Sequence, residues 1–232
     1  MTVPSPAPGV LHVEAVRTVD TATAEDLWAL YQLAFESLRT QAASRHMLTR
    51  AEFDLEVIDE RVTKYVAWRN GRPVGLVSLA TDLTTIPWIS PEFYARRYPE
   101  HAARGAVYYC SLALVHPDER LSDAFLRLVA VAAQDVATAD GVFAADMCSL
   151  NQDTFRLDRA VTALLTRAWG GVEPVELDRQ VFLAWEPQSM ARSNAPGLGS
   201  APARAGQAVP PGARPGRSLE LPSRRRRVGR AA

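Results

Sequence analysis

The sequence predicts an α/β domain: a mixed, largely antiparallel central sheet flanked by helices, with a disordered C-terminal tail. Three features predict it. Segments with apolar residues at helical spacing alternate along the chain with short, unbroken apolar runs. Asn70-Gly71 separates two such runs, the mark of a tight antiparallel hairpin, because both residues tolerate positive φ. From residue 187 onward, Pro, Gly, Ala, Ser and Arg replace nearly all large apolar side chains.

The elements follow in order. "LHVEAVRTV" reads as a first strand. A helix follows from Thr23, with Asp26 as its capping-box acid and Leu27, Tyr31, Ala34, Phe35 and Leu38 as one apolar face. A second helix begins at Thr49, again with an acid three residues on, Glu52. "KYVAWRNGRPVGLVSLA" supplies the hairpin. A long connection follows, with one short helix and four aromatics, Trp88, Phe93, Tyr94 and Tyr98. A connection of that length in a compact domain is usually functional or disordered, and its aromatics predict a wall packed over a site.

"VYYCSLALV" is nearly continuous in apolar residues, as a buried central strand is. Simple alternation puts Tyr109, Ser111 and Ala113 on one face and Tyr108, Cys110 and Leu112 on the other. The next helix presents Leu121, Phe125, Leu128, Val129, Ala132 and Val136 to the core. "VFAADMCSL" is a further strand, and Asp153 caps a helix whose apolar face is Leu157, Val161, Leu164, Leu165 and Ala168. "VEPVEL" and "QVFLAWE" complete the order as two last strands, and Trp28, Trp169 and Trp185 read as core residues.

Composition narrows the function classes. The 232 residues suit residues 1–10 as a flexible start, 11–186 as one domain and 187–232 as a tail. A domain of that size needs no disulfide or metal to hold it. Two lone cysteines, Cys110 and Cys148, exclude a cysteine framework for zinc and fit a reducing, cytoplasmic setting. The four histidines show no metal spacing. The start has neither the basic residues nor the apolar core of a secretory signal, and no apolar run is long enough to span a membrane.

The formal charge of zero hides an asymmetry: the tail from Pro187 carries nine Arg and one acid, and the remainder is correspondingly acidic. The tail cannot offset its ordering entropy. Its "SRRRRVGR" is either a solvated run or a weak handle for nucleic acid or acidic lipid. Lys64 is the one lysine; with so much Ala and Val, the arginine usage suits a bacterial, GC-rich genome.

The element order, the hairpin "VAWRNGRPVGLVSL" and the stretch "LALVHPDER" together resemble the GNAT superfamily of acyl-coenzyme A-dependent N-acyltransferases. The resemblance spans residues 11–186. It implies that the hairpin is the family's second and third strands and that "LALV" ends its fourth. It also implies that the fourth strand parts from the fifth, so that main-chain groups near Leu114 and Val115 pair with a pantetheine arm. In the family the next turn wraps a pyrophosphate with amides at a helix N-terminus. Arg120 matches the first position of that turn, but Asp123 and Phe125 stand where small residues belong. The binding set implied here is Leu114, Val115, Arg120, Ser122, Ala124 and Asn151, with acetyl-CoA or another acyl-CoA as co-substrate.

Two readings of the turn stay open. Either it binds the pyrophosphate, or Ser122 or Asp123 simply caps its own helix. A carboxylate about 4 Å from a phosphate costs on the order of 4 kcal/mol at an effective dielectric of 20, more than a helix terminus returns. The family's tyrosine acid has no counterpart, since Thr166 or Arg167 of "LLTRAWGG" holds its register. The catalytic candidates are Tyr109 and Ser111 on the fourth strand and Asp146 on the fifth, whose carboxyl in an apolar strand can act as a base.

The expected function is transfer of an acyl group from acyl-CoA, or from an acyl carrier protein, to a small-molecule or amino-acid-like amine. A GNAT fold that has lost catalysis and serves as a binding or regulatory module is the alternative. No membrane partner is expected, and nucleic acid only through the Arg-rich tail.

Overall fold

In a computed structural model the chain is described over residues 9–43, 47–119 and 122–187. It divides into two units, Met1–Leu183 and Ala184–Ala232. The second is described only over 184–187, an exposed stretch without regular structure. The expected flexible start lies outside the described residues except for its last two, and the expected tail except for Pro187.

The first unit is built on a five-stranded sheet in the order β1-β2-β3-β4-β5. β1 is His12–Val16, β2 Val62–Arg69, β3 Arg72–Ala80, β4 Val107–Val115 and β5 Val142–Ala145. The first three pairings are antiparallel and β4–β5 is parallel, so the sheet is mixed and largely antiparallel, as expected. The β2–β3 hairpin turns on Asn70 and Gly71, at φ 54 and 73°, the left-handed pair that matches the twist of the strands.

Helices cover both faces. α1 (Thr21–Phe35) and α3 (Arg50–Ile58) bury Leu27, Leu30, Tyr31, Phe53 and Val57 against Val66, Leu76, Leu112 and Leu114. α6 (Ala124–Thr138) lays Ala124, Leu128, Ala132 and Val136 on the other face, against Tyr65, Val77, Leu79 and Cys110. α7 (Leu157–Trp169) packs on α6 through Leu165. Trp169 joins that contact and donates its indole N–H to Ala133 O at 2.9 Å. The short α2 (Leu38–Gln41) follows α1, while α4 (Pro91–Arg97) and α5 (Pro99–Ala103) stand in the connection from β3 to β4.

Capping chemistry fixes the helix starts. At α3 the Thr49 hydroxyl accepts from the Glu52 amide and the Glu52 carboxylate accepts from the Thr49 amide, the reciprocal box that the sequence predicts. At α1 the sequence reading places the cap three residues late. Asp20, in extended backbone, is the cap and accepts from the Thr23 amide at 2.9 Å, so Thr23 stands inside the first turn rather than capping it. α7 likewise starts after Arg156, and Asp153 lies inside the preceding wide turn, Leu150–Thr154, rather than capping the helix.

The two last strands do not form. Residues 171–183 have no regular structure, and Val181, Phe182 and Leu183 are exposed. Trp185, expected in the core, is 86% exposed. Among the described residues no helix is long and apolar enough to cross a membrane.

Candidate functional site

β4 runs two residues past Ala113, but its pairing with β5 stops at Cys110↔Ala145. From Leu112 to Val115, β4 pairs with β3 alone among the described residues. The sheet therefore opens a notch on the β5 side of β4, where main-chain N–H and C=O groups face outward without a strand partner.

Ser111 sits at the root of that notch. The β3–β4 register steps from Ser78↔Leu112 to Leu79↔Cys110, so Ser111 is an extra residue bulged out of the ladder. The bulge resets the alternation expected from the sequence. Tyr109 lies on one face, and Leu112 and Leu114 follow it there, in the core beneath α1 and α3. Cys110 and Val115 face α6. A period of two cannot foresee this, because an inserted residue inverts every side chain beyond it.

The bulge aims the Ser111 hydroxyl at α3, where it donates to Glu56 Oε1. Burial pushes the Glu56 carboxyl above its ordinary range, against the opposing pull of that hydroxyl and of the Lys64 charge. Lys64 is fully buried and gives its ammonium protons to three carbonyls, Arg17 O and Asp59 O at 2.6 Å and Val62 O at 3.0 Å. Burial brings its pKa down to about 8. Between Lys64 and Leu112 in the sheet stands Ser78, buried, with a hydroxyl that has no partner among the described residues.

Tyr109 and Asp146 meet at the mouth of the notch. Asp146 is the residue after β5, and its Oδ1 accepts from the Tyr109 hydroxyl and from the Trp88 indole N–H, the latter at 3.4 Å. Burial, then the Asp146 bond, raises the Tyr109 phenol well above its usual value, so it keeps its proton at neutral pH. Tyr94 packs edge-on against Tyr109 at 5.9 Å between ring centroids, and Phe93 against Tyr94 at 5.6 Å. The long connection thus does wall one side of the notch, as its aromatics predict. Cys110 is sealed beneath the sheet; burial pushes its thiol up to about 12, which removes it as a nucleophile.

At the far end of the notch lies the turn into α6. Leu114 and Val115 are in the part of β4 that pairs with β3 but not with β5, with the Leu114 side chain buried. Ser122 caps locally, accepting from the Ala124 amide at 3.0 Å. Asp123 does not bond its own helix amides; its Oδ2 accepts from Arg127 Nε at 2.6 Å and its Oδ1 stands 3.9 Å from Arg69. Arg120 lies outside the described residues. Asn151 is in the wide turn before α7. His116 Nδ1 accepts from the Asp118 amide at 3.2 Å, a local bond that occupies it within the turn. Among the described residues no group of His, Cys, Asp and Glu is arranged to hold a metal ion.

The structure thus brings Tyr109 together with Asp146, and Ser111 together with Glu56. Glu56 was not foreseen, although the sequence carries a signal for it. It falls between Phe53 and Val57, on the face of α3 that the helical period turns inward, and an acid there must either pair or shift its pKa.

No family model and no curated protein matches the sequence. Among solved structures the chain is similar to the aminoglycoside 6'-N-acetyltransferase AAC(6')-Ih of Acinetobacter baumannii, at 13% identity and a TM-score of 0.45, with 77% of this chain and 99% of that chain covered. It is also similar to the aminoglycoside acetyltransferase meta-AAC0020 from an uncultured soil metagenomic sample, at 10% identity and a TM-score of 0.44, over 77% and 97% of the two chains. A third is the ribosomal-protein-alanine N-acetyltransferase of Brucella melitensis, at 13% identity and a TM-score of 0.43, over 77% and 100%.

Proposed function

We propose that the chain is an N-acyltransferase that moves an acyl group from an acyl-coenzyme A thioester to an amine at the β4–β5 notch. The observation that supports this reading is the parting of β4 from β5 at Cys110↔Ala145, with Ser111 bulged at its root. An amide-bearing pantetheine arm can pair with the outward main-chain groups of Ser111–Val115 as a missing strand would. The pairing of Asp123 with Arg127 lowers the repulsion that its carboxylate presents to a pyrophosphate at the start of α6.

Glu56 is the general base and Ser111 its relay. An amine arrives as an ammonium and must lose a proton before its lone pair can attack. A carboxylate whose basicity has been raised by burial takes that proton at a pH nearer neutrality than an exposed one. The neutral nitrogen then attacks the thioester carbonyl, the C–N bond forms, the C–S bond breaks, the nitrogen gives up its second proton to solvent, and the departing thiolate takes one from solvent. Tyr109, held protonated, positions Asp146 rather than serving as a base.

Thermal melts with acetyl-CoA and longer acyl-CoAs, followed by thioester consumption across an amine panel, test the reading. Stabilisation together with amine-dependent consumption is expected. No stabilisation at millimolar ligand removes the proposal. Stabilisation without consumption selects the binding or regulatory module, for which the absence of a tyrosine from α7 is the supporting observation.

A further inference from the structure

We infer that the acceptor side of the notch takes a single primary ammonium carried on an aromatic or otherwise apolar body, with the cation on Asp146 and the body against Trp88. The chemistry it would undergo rests on the acyltransferase reading above; its binding does not.

The carboxylate is built asymmetrically. Asp146 is exposed, and both of its hydrogen bonds, from Tyr109 and from Trp88, go to Oδ1. Oδ2 takes none from a described residue. Two neutral donors on one oxygen fix the plane of the group without cancelling its charge, and leave the second oxygen facing outward. The partner that suits it is a cationic N–H donor, since a charge-assisted bond is roughly twice as strong as a neutral one.

The rings make the second half of the site. Trp88, 45% exposed, shares that carboxylate with an aromatic train that runs from Tyr109 through Tyr94 to Phe93, whose ring is 41% exposed. Ring faces attract a cation close by, and ring bodies favour an apolar partner over a hydroxylated one. One free carboxylate oxygen among exposed rings matches one ammonium on an apolar body. A polycation would need several acids, and a sugar would set its hydroxyls against indole and phenyl surface.

The test uses the full chain with 2-phenylethylamine, 2-phenylethanol, propylamine, spermidine and kanamycin, followed by ligand-observed NMR titration. Saturable binding of 2-phenylethylamine is expected, about tenfold or more tighter than the alcohol, spermidine or kanamycin. Trp88→Ala should weaken the aromatic amine about tenfold and propylamine by clearly less. Asp146→Asn should abolish the preference for 2-phenylethylamine over 2-phenylethanol while the thermal shift with acetyl-CoA stays. Equal binding of amine and alcohol, tighter binding of spermidine or kanamycin, or no saturable binding of 2-phenylethylamine would overturn the inference. Binding without thioester consumption supports this acceptor site and sinks the acyltransferase reading. Consumption with polar amines but not with 2-phenylethylamine does the reverse.

Discussion

The Ser111 hydroxyl, carried on the residue bulged out of β4, donates to Glu56 Oε1 on α3. The pair joins the root of the notch to the one acid on the buried face of its helix. If Glu56 is the base, it must be ionised to work. Because burial raises its pKa, the rate should climb with pH through a limb displaced above the ordinary carboxylate range. Glu56→Gln should erase that limb and lower kcat by about 10²–10⁴. Initial rates from pH 4.5 to 8.5 check it.

The same substitution makes an opposite prediction for stability. A raised folded-state pKa means that the folded chain holds this proton more tightly than the unfolded chain. Its contribution is full at low pH and is lost as pH rises through the folded pKa. Glutamine cannot ionise, so Glu56→Gln should melt no lower than the wild type at pH 8, with a difference more in its favour there than at pH 5. A clear loss of stability at pH 8 would make Glu56 a structural residue and not a base.

How much of this was legible in the sequence varies with the physics involved. The hairpin at Asn70-Gly71, the capping box at Thr49 and Glu52 and the faces of α1 and α6 are local, and propensity with period reveals them. The notch depends on where β5 stops, and β5 ends at Ala145 while its sequence, past Asp146, continues with the apolar Met147 and Cys148. The bulge at Ser111 depends on β3 as much as on β4. It moved Leu112 to the face opposite the expected one, while leaving Tyr109 near Asp146. The last strands failed because an apolar alternation names a surface that could be buried, not a partner that buries it.

Lys64 stands where three carbonyls converge, and it is the one position in the chain that keeps a lysine. A compact ammonium has three donors to give; a planar guanidinium is too large for the same sealed point. Its folded pKa, lowered to about 8, lies below that of the unfolded chain. Between those values the unfolded state binds more protons, so stability should rise with pH from about 8 towards 10. Lys64→Met should flatten that rise and, by orphaning the carbonyls, cost about 1–3 kcal/mol at pH 7. Urea melts at pH 7, 8.5 and 10 measure both.

Gly75 lies on β3 where α6 crosses it. A Cβ there would come within 2.6 Å of Leu128 Cδ1 and 3.1 Å of Leu114 O, a side chain from α6 and a carbonyl at the rim of the notch. Leu128 is fully buried and cannot swing clear, so relief must come from the backbone. Gly75→Ala should cost about 1–3 kcal/mol, within the range for overpacked cores. If β4 yields rather than α6, the substitution should also weaken acyl-CoA binding, which a titration of the folded variant would separate from the loss of stability.

Asp123 and Arg127 offer the last test, because they stand where the turn departs most from a phosphate cradle. With Arg127 in place the carboxylate is paired at 2.6 Å. Removing the arginine leaves the carboxylate at the start of α6 with only the more distant Arg69, at 3.9 Å, among the described residues. Arg127→Ala should therefore weaken acyl-CoA binding, and Asp123→Asn should strengthen it. Each effect should be a few-fold, about 1 kcal/mol or less, since the pair is half-exposed. The double variant should bind at least as well as the wild type, because the arginine matters only while the carboxylate is there. Both single effects should shrink between 0.05 and 0.5 M salt as screening closes over about 10 Å or less. If Asp123→Asn leaves affinity untouched at low salt, the phosphates do not lie at this turn, and the thioester's arm must enter the notch from another side.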